Sequence, residues 1–130
     1  MGFLKPHADK LYAAMRIFAG LMFFAHGLQK IFGLFGGAPA GAPAFIIYGA
    51  GSIELVTGAL IAIGLFAAPA AFLASGTMAA AYFIGHVAQS GNLIPIVNKG
   101  ELAVLYCWVF FFIVSRGAGI WSADASRSNS

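Results

Sequence analysis

The chain alternates long apolar runs with short breaks rich in Gly, Ala and Pro, and four runs are long enough to read as helices crossing a bilayer. The first covers about residues 11–35 (LYAAMRIFAGLMFFAHGLQKIFGLF), with Asp9 placed to cap its start. The segment GGAPAGAP breaks it. The second covers about residues 44–67 (AFIIYGAGSIELVTGALIAIGLFA) and follows Pro43, which suits an N-terminal helix boundary. Ala68 and Pro69 separate it from the third, about residues 70–90 (AAFLASGTMAAAYFIGHVAQS). After the loop GNLIPIVNK, the fourth begins near Gly100 and needs residues as far as Trp121 to match the membrane thickness. These elements predict an all-α integral membrane protein. Residues 1–130 form one domain, an antiparallel four-transmembrane-helix bundle whose short connections make successive helices neighbours.

Composition narrows the solvent. Of the residues, 61% are hydrophobic and 8% are Asp, Glu, Lys or Arg, against roughly 25% charged in an average soluble domain. So few charges cannot cover a small water-soluble fold, and so much apolar residue excludes disorder. The net charge of +3 forms no basic run suited to nucleic acid and reads instead as a topology signal. Lys5, Lys10, Arg116 and Arg127 lie on the tail side, against Lys99 and Lys30 opposite, so the positive-inside rule places both termini in the cytoplasm. Ala38-Pro39-Ala40 resembles a signal-peptide cleavage site. Arg16, His26, Gln29 and Lys30 interrupt the apolar stretch that such a signal needs, so the segment is kept as a span. Cys107 is the one cysteine, which excludes an intrachain disulfide and any Cys-x-x-Cys pair.

Candidate chemistry comes from polar groups that lipid tolerates poorly. An ionisable group at membrane depth costs roughly 2.5–3.5 kcal/mol on insertion scales, so each needs a reason. His26, Lys30, Glu54, His86 and Glu101 all lie within, or at the outer ends of, the helices. At about 1.5 Å of rise per residue, His26 and Glu54 sit at one level and Lys30 one turn beyond His26. The five are expected to converge in one outer-half chamber. Ser75, Ala79, Tyr82, His86 and Gln89 form a stripe of helical period that turns helix three's polar face inward, and Gly51 and Gly58 flank Glu54 to admit a neighbouring helix or a ligand. Plainer readings stand beside these. Lys30 and Arg16 can snorkel to the two interfaces, Glu101 can close a capping box with Asn98, His86 can bond a carbonyl, and Glu54 can pair structurally with His26 or Lys30. His26 and His86 differ in depth by about 7 Å and no local ligand motif accompanies them, so no metal site is assigned. No flavin, nucleotide or phosphate-loop signature is present.

The segment RIFAGLMFFAHGLQKIFGLFG, Glu54 with Gly58, Pro69-Ala70 after Gly64-Leu65-Phe66, His86, Glu101 and the closing GAGIWSAD together resemble the DoxX family of small bacterial and archaeal membrane proteins. The chain departs from that pattern at Ala68 and Ile120, where many relatives carry a basic residue. The resemblance implies a four-helix, multi-pass protein of the bacterial or archaeal cytoplasmic membrane, and an association with quinone-linked oxidation of sulfur compounds. Some relatives act in thiol redox or in the assembly of partner proteins.

The first functional expectation is a membrane subunit of a quinone-linked oxidoreductase system, with a quinone or similar small ligand in the outer chamber. His26 and Glu54 are the candidate catalytic groups, exchanging protons with the ligand, and Lys30 stabilises negative charge on a reduced oxygen. His86 and Glu101 complete the candidate cofactor-binding set, with Tyr82 and Trp108 offering ring contacts. Electrons then require a redox protein partner. The alternative is a non-catalytic accessory or assembly subunit whose aromatic fourth helix meets another membrane subunit or a second copy of the chain. Proton or small-solute transport is the third reading, and few polar steps lie below Glu54 to support it.

Overall fold

The computed structural model describes residues 1–128, and its helices end on glycines rather than at prolines. α1 (Ala8–Phe32) follows a 3-10 segment, Gly2–His7, and stops at Gly33. α2 (Ile46–Ile63) stops at Gly64, and α3 (Ala67–Ser90) at Gly91. At Gly64 the backbone is left-handed (φ 78°) and the Leu65 amide reaches back 2.9 Å to the Leu60 carbonyl, closing the helix in a conformation that glycine adopts without strain. A short α4 (Pro95–Asn98) precedes α5 (Glu101–Arg116), and α6 (Ala123–Ser128) closes the described chain. Strands are absent among the described residues.

Three expectations are corrected. The α2–α3 break falls on residues 64–66, so Ala68 and Pro69 lie in the first turn of α3, where a proline forfeits no helical hydrogen bond. Asp9 does not cap α1, because the helix begins one residue earlier; its carboxylate pairs with Arg116 at 2.6 Å. Helix in the expected fourth span ends at Arg116, since Gly117 (φ 84°, ψ −168°) turns the chain back beneath the bundle. By length and apolar composition three helices suffice to cross a membrane: Gly2–Phe32, Ile46–Ile63 and Ala67–Ser90. The 16 residues of α5 reach only about 24 Å.

α1 and α2 pack antiparallel along a glycine seam. A methyl group on Gly58 would lie 2.4 Å from the Phe24 nitrogen, one on Gly20 2.4 Å from the Ala62 nitrogen, and one on Gly27 2.5 Å from the Leu55 nitrogen. Backbones this close are possible only without side chains between them. The seam sets the register, with Lys30 beside Gly51 and Phe24 beside Gly58. α3 and α5 form the second antiparallel pair, in which the buried Ser75 hydroxyl donates to the Cys107 carbonyl at 2.9 Å and Gly100 lies against the Tyr82 ring. Rings close α1 onto α5: Phe23 meets Phe110 at 4.8 Å and Tyr106 at 5.4 Å. Outward faces carry large apolar side chains, among them Phe18, Phe72, Leu105 and Trp108.

Arg16 does not snorkel. Its side chain is fully buried, and every hydrogen-bond partner of its guanidinium is a carbonyl oxygen. Nε donates to Ile61 at 3.0 Å, a carbonyl that also accepts from the Gly64 amide at 3.2 Å, and Nη2 to Ala62 at 3.5 Å, both in the last turn of α2 where the helix dipole is negative. The other bonds reach the 117–122 loop, to Ala118, to Ile120 at 3.0 Å and to Trp121 at 2.7 Å. Tyr12 adds a bond from its hydroxyl to the Gly117 carbonyl at 2.6 Å. Asp124 caps α3 from a distance of more than fifty residues in sequence: its carboxylate oxygens accept from the Phe66 and Ala67 amides at 2.9 and 3.0 Å. An anion at a helix N-terminus satisfies otherwise orphaned donors and the dipole together.

Four outcomes follow for thermal unfolding in detergent. Arg16→Met, which leaves several buried carbonyls unbonded, lowers stability by about 3 kcal/mol or more, and Asp124→Ala by about 1–2 kcal/mol. Gly58→Ala destabilises by pushing α1 and α2 apart, whereas Gly76→Ala, where an added methyl meets open space, leaves the midpoint unchanged or raises it.

Candidate functional site

The glycine seam brings the two oppositely charged groups of α1 and α2 together. Lys30 Nζ lies 2.7 Å from Glu54 Oε2 and 3.0 Å from Oε1, with the two side chains 13% and 3% exposed. At that burial neither group is well accommodated alone, and each finds in the other a two-point hydrogen-bonded partner. Gly51, one turn before Glu54, leaves room for the Lys30 stem, since a methyl there would lie 2.9 Å from the Lys30 Cβ.

His26 stands one turn from Lys30 on α1, half-buried, with its ring edge-on to Tyr106 of α5 (centroids 6.0 Å apart, planes at 86°). It faces a shallow groove lined also by Met22, Ala25, Gln29 and Phe35. Tyr106 is buried and stacks on Phe110 at 5.4 Å. α1, α2 and α5 thus place a cation, a carboxylate, an imidazole and a phenol in the half of the bundle away from the termini.

His86 and Glu101 are placed differently. His86 sits in a π-helical stretch of α3, Tyr82–Val87, and its Nδ1 lies 3.1 Å from the Asn98 carbonyl. A carbonyl only accepts, so Nδ1 is the donor in this contact. Asn98 organises this end: its Nδ2 donates to the Tyr82 hydroxyl at 3.1 Å and to the Asn92 carbonyl at 2.9 Å, its Oδ1 accepts from the Gly100 amide at 2.8 Å, and Tyr82 donates to the Leu93 carbonyl. The expected capping box is not formed, because Gly100 is the N-cap and Asn98 bonds that residue rather than the first turn. Glu101 opens α5, exposed, where its charge complements the helix dipole. Among the described residues no hydrogen bond or ion pair joins His86 or Glu101 to His26, Lys30 or Glu54. The inward polar stripe of α3 holds through Ser75 and Tyr82 and fails at Gln89, which is exposed, since the π stretch shifts the register beyond Tyr82. Trp108 points outward at 66% exposure, so the ring at the site is Tyr106. Ala103, Tyr106, Phe110 and Ile113 are the buried stripe of α5, and their helical spacing was the available signal for it.

The chemistry open to this arrangement is proton exchange at His26 and stabilisation of negative charge by Lys30. Among the described residues no three His, Cys, Asp or Glu side chains converge on one point.

Comparison with known proteins supplies the kinship. An uncharacterized protein of Haemophilus influenzae is 42% identical over 130 residues, covering 95% of this chain and 96% of the relative. No solved structure matches. The DoxX family model matches residues 11–87, a stretch that holds His26, Lys30, Glu54 and His86. With its apolar helices and that match over more than half its length, this multi-pass membrane protein belongs to the DoxX family.

Proposed function

We propose that the protein is the membrane-embedded subunit of a quinone-linked oxidoreductase system, and that the His26 groove with the Lys30–Glu54 pair behind it receives the quinone headgroup. The observation that carries this reading is a buried, fully paired Lys30–Glu54 couple next to a half-exposed imidazole on an otherwise largely apolar groove. A groove on the outer surface of apolar helices is entered from lipid, so its ligand is lipid-soluble with a polar head. Quinone reduction consumes two electrons and two protons; the sequence shows no flavin or Cys-x-x-Cys signature, and this reading assigns the electrons to a partner redox subunit. Lys30 holds negative charge developing on a ligand oxygen, Glu54 keeps Lys30 in place, and His26 passes a proton at its ring nitrogen. We read α5 as the fourth membrane element, its 117–122 loop lying at the lipid surface, with both termini on the cytoplasmic side of a bacterial or archaeal membrane. His86 and Glu101 stand outside this site.

A second reading is favoured by the outward face of α5, where Leu105, Trp108, Phe111 and Phe112 are 62%, 66%, 50% and 50% exposed. On that reading the Lys30–Glu54 pair is a tie between helices, and the aromatic face docks a partner in an accessory or assembly role.

Turnover per assembled complex separates the two. His26→Leu leaves abundance and assembly normal, removes quinone from the purified protein as seen by native mass spectrometry, and lowers quinone-linked turnover by about a hundredfold. Bound quinone absent from the wild type, with turnover per complex unaltered in the variant, would favour the accessory role.

A further inference from the structure

The turn that follows α1 holds an aromatic side chain in a backbone conformation that phenylalanine seldom adopts. Residues 34–37 close through the Gly37 amide and the Leu34 carbonyl at 3.0 Å, with φ of 54° at Phe35 and 90° at Gly36. Two successive positive φ values are those of a mirror-image turn, whose central positions favour Gly, Asn or Asp. Gly36 meets that demand and Phe35 does not, since a bulky side chain in the left-handed region is strained. Burial does not offset the strain: Phe35 is 70% exposed and meets no other ring among the described residues. Nor does anchoring at the membrane surface require it, because Phe32, Leu34 and Phe45 expose apolar side chains at the same end without a positive φ. The Phe35 ring instead lines the groove, whose other walls are Met22, Ala25, His26 and Gln29, one stripe of α1 at helical spacing. Gln29 ties the strained residue to that stripe, its Nε2 donating to the Phe35 carbonyl at 3.3 Å.

We infer that Phe35 is a specificity-determining residue of this groove, its ring lying against the face of the quinone headgroup, and that Gln29 is its positioning residue; this rests on the quinone reading above. A quinone headgroup is flat and electron-poor, and its oxygens lie in the plane of the ring. One face can therefore rest on an aromatic side chain while the oxygens stay open to His26 and Lys30. Strain kept at an exposed residue beside a groove, where asparagine or glycine would relieve it, marks a side chain retained for what it contacts.

The test is titration of decylubiquinone into the purified full-length chain in lipid nanodiscs, comparing wild type with Phe35→Asn, Phe35→Trp, Gln29→Met and the Phe35→Asn/Gln29→Met double variant. Phe35→Asn should weaken binding about tenfold while the ligand-free thermal midpoint stays level or rises, because asparagine accepts the left-handed backbone. Phe35→Trp should keep affinity within about twofold of wild type, and its added indole should be quenched saturably as the quinone binds. Gln29→Met should weaken binding about threefold alone and no further in the Phe35→Asn background. Equal affinity of Phe35→Asn and wild type overturns this inference alone, as does a fall in its midpoint, which would make the ring a support of the fold. Additive losses in the double variant overturn the positioning role of Gln29. Failure of the wild type to bind decylubiquinone overturns the quinone reading and this inference with it.

Discussion

A guanidinium removed from both water and headgroups needs an acceptor for each donor, and Arg16 finds only carbonyls. That requirement organises one end of the molecule. The carbonyls come from the last turn of α2 and from the loop after α5, so one side chain on α1 holds together segments more than forty and a hundred residues away. Carbonyls at the end of a helix carry partial negative charge, which offsets part of the cost of burying the cation. With the loop held, Asp124 reaches the amides that start α3. The turn at residues 64–66 has little room of its own: a methyl on Gly64 would lie 2.3 Å from the Ser122 Cβ.

The same constraint acts at the other end through the glycine seam. Once α1 and α2 are clamped near Arg16, their close approach fixes the register along both helices, and Lys30 arrives opposite Glu54. A shift by one residue would turn one charge to lipid and strand the other. The polar site therefore depends on residues that bear no charge, Gly20, Gly27, Gly51 and Gly58, as much as on the ion pair itself.

How much of this the sequence disclosed differs by feature. The long apolar runs, the level shared by His26 and Glu54, and the Lys30–Glu54 proximity were legible, because hydropathy and helical rise follow from local sequence. Helix ends were less so: left-handed glycines stop the first helix at Gly33 and the second at Gly64, a few residues before the expected ends, while the end of the third at Ser90 falls where it was expected. Arg16, Asp124 and Asn98 act on backbone groups far along the chain or on a loop, which spacing rules do not reach. His86 was correctly placed near a helix end, but its partner is a carbonyl of the α4 turn, the plainer of its two readings. Tyr106 has no sequence signal beyond the helical spacing of the buried α5 stripe, since an unbonded hydroxyl becomes visible only when its surroundings are known.

What remains is whether the Lys30–Glu54 pair is a tie or a binding group, since both uses require it buried and paired. Exchanging the charges, Lys30→Glu with Glu54→Lys, keeps the attraction between α1 and α2 and reverses the polarity presented toward His26. The account predicts that the double variant regains the abundance lost by either single change while quinone-linked turnover stays about a hundredfold down. Recovery of turnover together with abundance would contradict it and leave the pair a structural tie.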